Sequence, residues 1–295
     1  MQDLQTLSIE RVLIPELEIS QSPKEYYFEY IQSFSSLPKN LQHSLLEEIY
    51  EISATQFTDY TFELFCEKEF YDSKSFISVL ALVRESKSNK MIGFDIEHLY
   101  ERYAFEGDYK ETNKYFCISG LAALAPKYQG KKILKELVYS FAYLLLKDFP
   151  NSNLIVVDFY TNPIAYYFVQ KESKLTIPSH GQSYSKKIED FIIRTANYIG
   201  YKSLPFRHPL IVEEDHLIKG IDKQFYKENY ENLPQEMKFF IDTTGLEPHA
   251  ALACLIATQT LKDNSLGLEE ISYEKPKNLN VKVYKWILND VGPKI

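Results

Sequence analysis

Apolar and polar positions alternate along the first part of the chain in a way that marks short strands and amphipathic helices. Residues 25–33 are aromatic-rich and strand-like. After Pro38, Leu41, Leu45, Ile49 and Ile52 recur at three- and four-residue steps, which predicts a helix, and a second helix is predicted over 57–68. Residues 76–83 predict a strand, 86–90 a polar turn and 91–96 a second strand, so the pair reads as a hairpin. A polar, aromatic loop is expected over 100–114, then a third strand over 116–124. A helix follows over 133–147, with Leu134, Leu137, Val138, Phe141 and Leu145 on one apolar stripe and Lys135, Glu136 and Lys147 off it. Residues 154–159 are continuously apolar except for Asp158, as in a strand buried on both faces. Asn162 and Pro163 then supply a helix cap and a first-turn proline, for a helix reaching Lys171.

The second half is less regular. Ile188, Phe191, Ile192, Thr195 and Ile199 predict a helix that Gly200 ends. Residues 208–212 suit a strand and 235–241 a short helix. Residues 250–258 suit either a strand or a buried helix, and 281–288 alternate. There is no internal repeat and no Gly/Ser linker to mark a domain boundary. The fold class this order predicts is α/β (α+β): a mixed central sheet flanked by helices, with an enlarged helical C-terminal portion.

One junction carries chemistry. The strand ending at Leu124 passes through Ala125-Pro126-Lys127-Tyr128-Gln129-Gly130-Lys131-Lys132 into the helix that starts at Ile133 and Leu134. A strand, a polar turn with a glycine and a helix N-terminus gather unpaired backbone N–H groups at the positive end of a helix dipole, which suits a phosphorylated ligand. The nucleotide-binding alternatives fail on spacing. A Walker loop needs a second glycine and Ser/Thr after the lysine, and the dinucleotide fingerprint needs three glycines.

Composition narrows the field. The 295 residues carry 33 basic against 41 acidic side chains, a net charge of −8, which argues against a general nucleic-acid binder and is compatible with a cationic acceptor. Cys66, Cys117 and Cys254 form no CxxC pair and read as reduced core residues. No signal peptide is visible at the start, and no apolar run reaches the about 18 residues a membrane span requires. The expected location is therefore cytoplasmic, with no membrane or nucleic-acid partner.

The order of elements over residues 25–174, about half the chain, resembles the GCN5-related N-acetyltransferase family. Residues 79–94 resemble the family's second and third strands, with its Gly-Phe at Gly93-Phe94, residues 124–134 its acetyl-CoA motif, and residues 162–171 its fourth helix. In the motif (Arg or Gln, two residues, Gly, one residue, Gly or Ala), Gln129 fits the first position and Gly130 stands where many members also have glycine. Lys132 and Leu134 replace the two small residues. The resemblance implies acetyl transfer from acetyl-CoA to a primary amine, on a small molecule or a protein. It also implies a splay between the third strand and the buried strand that follows. Leu124, Gln129, Gly130, Lys131, Lys132, Ile133, Leu134 and Asn162 would bind the cofactor, and backbone N–H groups over 121–124 would polarise the thioester carbonyl. The family's usual tyrosine, which protonates the departing thiolate, falls at Val169; Tyr166 lies one turn earlier as a substitute. The alternative is a non-catalytic binding or regulatory protein with a degenerate CoA site, and a third reading is transfer of a longer acyl group.

For the base that deprotonates the amine, the residues offer Glu97 and Asp95, which share one strand face with Ile96 on the other, and Asp158 near the end of the buried strand. A carboxyl group desolvated at a cleft titrates nearer neutrality, as a base requires. No metal site is expected: His208 and His216 flank Glu213, Glu214 and Asp215 without ligand spacing. His43 and His98 read as surface residues. Residues 175–295 are expected to complete the sheet with helices inserted between strands, or else to form a module for partner binding, with homo-oligomerisation left open.

Overall fold

The computed structural model describes residues 8–13, 25–58, 61–110, 113–149, 152–173, 175–204, 208–214, 217–218, 221–257 and 283–289. In chain order these form β1 (Ser8–Leu13), β2 (Tyr26–Ile31), α1 (Lys39–Ser53), β3 (Phe57–Thr58), α2 (Phe62–Glu69), β4 (Ile77–Glu85), β5 (Met91–Tyr103) and β6 (Lys114–Leu124). They continue with α3 (Ile133–Asp148), β7 (Leu154–Tyr160), α4 (Pro163–Glu172), β8 (Thr176–Ile177), α5 (Lys186–Ile199), β9 (Ile211–Glu213), β10 (Leu217–Ile218), α6 (Lys223–Glu228), α7 (Gln235–Thr244), β11 (Ala250–Ala257) and β12 (Val283–Asn289).

A ten-stranded mixed sheet runs β1-β12-β2-β4-β5-β6-β7-β11-β8, with β9 also paired to β11. From β2 to β6 neighbours are antiparallel, β6 and β7 are parallel, and β7 and β11 are antiparallel again. One face of β4–β6 carries α3, whose Ile133, Leu137, Phe141, Leu144 and Leu145 pack with Val79, Ala81, Val83, Ile118 and Leu124. The other face carries α1 and α2, with Leu45, Leu46, Ile49 and Phe65 against Leu80, Leu82, Phe94 and Ile96. A third core joins β7 and β11 to α5 and α7 through Val157, Leu255, Phe191, Ile192 and Phe240.

Several elements differ from the sequence reading, each for a local reason. The second helix starts at Phe62, because the Thr61 hydroxyl caps it by accepting from the Leu64 N–H at 3.3 Å; Phe57 and Thr58 pair with β10 instead. Residues 100–103, expected in a loop, continue β5, because Tyr100 to Tyr103 pair with Cys117 to Lys114. The strand expected over 208–212 begins only at Ile211, because His208 Nδ1 accepts the Leu210 N–H at 3.2 Å and turns the chain. Residues 250–257 are a strand, the partner of β7. Val138, placed on the apolar stripe of α3, is 39% exposed, and Leu144 takes the inward position. His98 is buried at 3% exposure between Ser78 Oγ and the Glu69 carbonyl, and burial lowers its pKa. The three cysteines are buried and unpaired. Asp215 and His216 lie outside the described residues.

Candidate active site

The site begins where β6 and β7 part. Their parallel ladder holds only at Phe116–Leu154, Cys117–Ile155 and Ile118–Val156. Asn153 clamps that end: its carbonyl accepts from the Phe116 N–H at 2.9 Å and its Nδ2 donates to the Lys114 carbonyl at 3.2 Å. Beyond Ile118, β6 runs on to Leu124 paired only with β5, and beyond Val156, β7 runs on to Tyr160 paired only with β11. A wedge opens at the carboxyl ends of two parallel strands, the place where open α/β sheets bind ligands. Residues 121–124, expected to face the thioester, lie along its edge.

At the wide end, Leu124 passes into the loop. Its carbonyl accepts from Gln129 Nε2 at 3.3 Å and from Gln56 Nε2, so the motif glutamine ties the loop to the strand end. Gly130 has φ +74° and Lys132, the N-cap residue of α3, has φ +63°. The position that the family consensus fills with glycine is thus one where the backbone adopts the left-handed conformation glycine favours, and here a lysine holds it. No side chain caps α3. Lys131 and Lys132 are exposed, and the Lys127 and Lys131 ammonium groups each lie 5.3 Å from the Tyr128 ring centre. Leu134 is half-buried and packs against the core beneath α3, so its side chain is directed into the protein. Asn162 caps α4, its Oδ1 accepting from the Ile164 N–H at 2.8 Å.

Beside the wedge, acidic side chains gather on the α3 face of the sheet. Asp95 and Glu97 sit opposite Ala122 and Gly120 on β6, and these small residues leave room above that strand. A Cβ on Gly120 would stand 2.6 Å from Glu97 Oε2 and 1.8 Å from the Ile96 carbonyl oxygen, so the Glu97 carboxyl folds over bare backbone. Asp158 approaches from β7, its Oδ1 accepting from the Phe159 N–H at 2.9 Å. Burial raises the pKa of all three groups. Asp95 is pushed up to about 7, and its charge together with that of Asp158 raises Glu97 further. Asp95 and Glu97 lie close enough to share a hydrogen bond, which lowers the pKa of Asp95 and raises that of Glu97.

Tyr160 completes the cluster, within hydrogen-bonding reach of Asp158 and in the field of Glu97. Neither Tyr160 nor Gly120 is among the candidates the sequence offers. The signals were present: Tyr160 shares a strand face with Asp158 two residues away, and a lone glycine inside a strand marks a close approach. Tyr166, the expected acid, is a core residue. It is fully buried, its hydroxyl donates to the Pro178 carbonyl at 2.9 Å, and its ring packs on Phe239 and Phe240. The structure therefore brings Asp95, Glu97, Asp158 and Tyr160 together and leaves Tyr166 out. Among the described residues no group of three His, Cys, Asp or Glu side chains is arranged to hold a metal ion. No described helix is long and apolar enough to cross a membrane.

No family model and no curated protein sequence matches the chain. Solved structures similar to it include an aminoglycoside N-acetyltransferase in complex with CoA (12% identity, TM-score 0.35, covering 51% of this chain and 89% of that one). Others are the ribosomal-protein-S18-alanine N-acetyltransferase from Escherichia coli (13%, TM-score 0.32, 54% and 84%) and glucosamine-6-phosphate N-acetyltransferase from Arabidopsis thaliana (16%, TM-score 0.30, 49% and 88%). By its strand order, its β6–β7 splay and the loop leading into α3, the chain has a mixed α/β fold with helices packed on both faces of the sheet.

Proposed function

We propose that this protein is an acetyl-CoA-dependent N-acetyltransferase whose acceptor is a primary amine. The observation that carries the reading is the one-sided ladder of β6. From Ser119 to Leu124 its β7-facing edge is open, and that edge lies between an uncapped helix start and a cluster of proton-accepting side chains.

The residues fit the ligand. The first N–H groups of α3 at Ile133 and Leu134 and the Lys131 and Lys132 ammonium groups would hold its phosphates, and Leu134, turned into the core, leaves the loop clear. The open edge of β6 offers backbone N–H groups to its amide and thioester carbonyls. Acetyl-CoA supplies the acetyl group as a thioester. Glu97 and Asp158 are placed to take a proton from the incoming ammonium, and their raised pKa values suit that transfer near neutrality. The amine nitrogen then bonds to the acetyl carbon, the carbon–sulfur bond breaks, and the thiolate leaves with a proton. The Tyr160 hydroxyl holds a proton at this point of the cluster, whereas Tyr166 is committed to Pro178.

Calorimetric titration with acetyl-CoA and with free CoA tests the reading, followed by thiol release across a panel of amines. Micromolar binding with amine-dependent thiol release is the expected result. Binding without release on any amine would favour a non-catalytic binding protein, and absence of binding would overturn the CoA site itself.

A further inference from the structure

Four cations line up where the end of β5 meets α5, and no carboxylate neutralises them. Lys187, Arg194 and Tyr198 are spaced i, i+7 and i+11 on α5, so they share one stripe of that helix. Arg102 of β5 meets the stripe, its guanidinium carbon 4.2 Å from the Tyr198 ring centre. The Lys74 ammonium lies 6.0 Å from the same ring centre, and the Lys187 ammonium 4.5 Å from that of Phe105. Arg194 donates to the Tyr103 carbonyl at 3.5 Å and the Ala104 carbonyl at 2.7 Å, both neutral acceptors. Among the described residues no carboxylate pairs with any of the four. Asp72 accepts from the Tyr100 hydroxyl and the Lys74 backbone N–H, and Asp190 is paired with Lys186. Arg102 is half-buried and its Nε has no acceptor; burial and the charge of Arg194 both lower its pKa.

A single unpaired lysine on a surface means little. Four cations with no paired carboxylate, in a chain of net charge −8, set a local field opposite in sign to the molecule as a whole. Aromatic rings interleave them, with Tyr198 37% and Phe105 47% exposed. A ligand that fits brings several anionic groups and apolar groups between them. One small anion is too short, since Lys187 to Tyr198 alone spans about 16 Å of helix. A nucleic-acid strand fits less well. Exposed Glu106 follows Phe105, exposed Asp190 lies one turn from Lys187, and both repel an evenly charged backbone. A polypeptide places carboxylates only where the cations are, and the planar guanidinium edges match carboxylate geometry.

We propose that this strip docks an acidic segment of a partner polypeptide, with Lys74, Arg102, Lys187 and Arg194 holding its carboxylates and Phe105 and Tyr198 receiving its apolar side chains. The strip is remote from the loop into α3: Gly93 pairs with Leu124 and Arg102 with Tyr115, about 30 Å apart along β5. It stands whether or not the chain transfers acetyl groups.

The test is fluorescence anisotropy of the full chain with a dye-labelled decapeptide of alternating Glu and Leu. A Lys-Leu decapeptide and hexathymidylate, equal in number of charges, are the comparisons. The Glu-Leu peptide is expected to bind at micromolar concentration, about tenfold tighter than either comparison, and to weaken about tenfold from low to physiological salt. Lys74→Glu and Lys187→Glu should each weaken it about fivefold, and Arg102→Gln about tenfold. The urea midpoint of Arg102→Gln should not fall, which a merely structural role for this side chain would require. Lys131→Glu, in the loop into α3, should leave the peptide's affinity unchanged, and acetyl-CoA should not displace it. Absence of Glu-Leu binding overturns the proposal, as does binding that responds to Lys131→Glu and not to Lys74→Glu or Lys187→Glu. Hexathymidylate bound as tightly as the peptide would make the strip a nucleic-acid site instead. A dimer in sedimentation that Lys187→Glu dissociates would assign the strip to a second copy of the chain.

Discussion

Lys135, in the first turn of α3, and Glu172, the last residue of α4, are joined by an ion pair of 2.5 Å between Nζ and Oε2. α3 leaves the sheet from β6 and α4 leaves it from β7, so this pair ties together the helices on either side of the wedge. Both side chains are about one-third exposed. Solvent screening keeps the contribution of such a pair to stability under about 1 kcal/mol. Its effect on binding should be larger, because Glu172 places a negative charge beside the turn that would hold phosphates. Glu172→Gln is expected to tighten acetyl-CoA binding about threefold at low salt, with the gain fading as ionic strength rises. Calorimetry at two salt concentrations checks this; unchanged affinity at both would separate the bridge from the ligand groove.

The left-handed backbone at Lys132 makes a second prediction. A side chain at φ +63° costs about 1 kcal/mol relative to glycine, part of which glycine forfeits through its freer unfolded chain. Lys132→Gly should therefore raise stability by about 0.5 kcal/mol in urea unfolding. Lys131, which has no positive φ, is the control, and Lys131→Gly should bring no gain. Equal responses would show that the loop is not held in this conformation in solution.

Much of this architecture is legible in the sequence, and the exceptions have physical causes. The strands over 77–85 and 114–124 and the helices over 133–148 and 186–199 carry apolar residues at the spacing of their own periodicity, so local pattern and tertiary burial agree. The second half of β5 was not readable, because Glu97, His98, Glu101 and Arg102 are polar and only the partner strand β6 makes that segment extended. The Asn162 cap was legible because Asn-Pro states a backbone geometry directly. The left-handed turn at Lys132 was not, since lysine says nothing about φ. The wedge sets the harder limit. The resemblance implies that β6 and β7 part, but the point of separation, after Ile118, is visible only in their pairing, and without it the shared face of Asp158 and Tyr160 has no special meaning.

Gly120 should tolerate no side chain. Its Cβ would fall 1.8 Å from the Ile96 carbonyl oxygen, a backbone atom that cannot rotate away, and 2.6 Å from Glu97 Oε2. Gly120→Ala must displace β5 against β6 in the middle of their ladder. A loss of about 3 kcal/mol is expected, at the upper end for overpacking because the obstacle is main chain. Thermal unfolding against Ala122→Gly, which creates no clash, gives the comparison; a Gly120→Ala protein as stable as the parent would show that the close approach is not maintained.

Stability should depend on pH through Asp95. Burial raises its folded-state pKa from the ordinary range near 4 to about 7, so over that interval the folded protein binds more protons than the unfolded chain. Stability therefore falls as pH rises from about 4 toward about 7 and levels off above, the reverse of a salt-bridged carboxylate. Glu97, raised in the same direction, prolongs the decline. Asp95→Asn removes one titrating group and should flatten this slope and raise stability at neutral pH relative to the parent. Urea midpoints measured across the interval check both, and a parent whose stability rises over it would refute the burial of this carboxyl in its charged form.

The two tyrosines near the end of β7 should separate by phenotype. The Tyr166 hydroxyl donates only into the core, to the Pro178 carbonyl, which also accepts from Gln170 Nε2 at 3.1 Å. Tyr166→Phe leaves that carbonyl with a donor, so about 1 kcal/mol of stability should be lost, with acetylation per folded molecule reduced less than twofold. The Tyr160 hydroxyl instead faces Asp158 and the field of Glu97. Tyr160→Phe removes the proton held at the cluster and a hydrogen bond to a base whose pKa that bond lowers, so the acid-side limb of the kcat profile should move to higher pH and kcat should fall about tenfold or more. Stability should change little, because the lost hydroxyl is exchanged for one fewer polar group beside a crowded set of carboxyls. A Tyr166→Phe enzyme that loses kcat while Tyr160→Phe retains it would reverse the assignment, and would mean that α4 shifts to bring Tyr166 out of the core when the acyl donor binds.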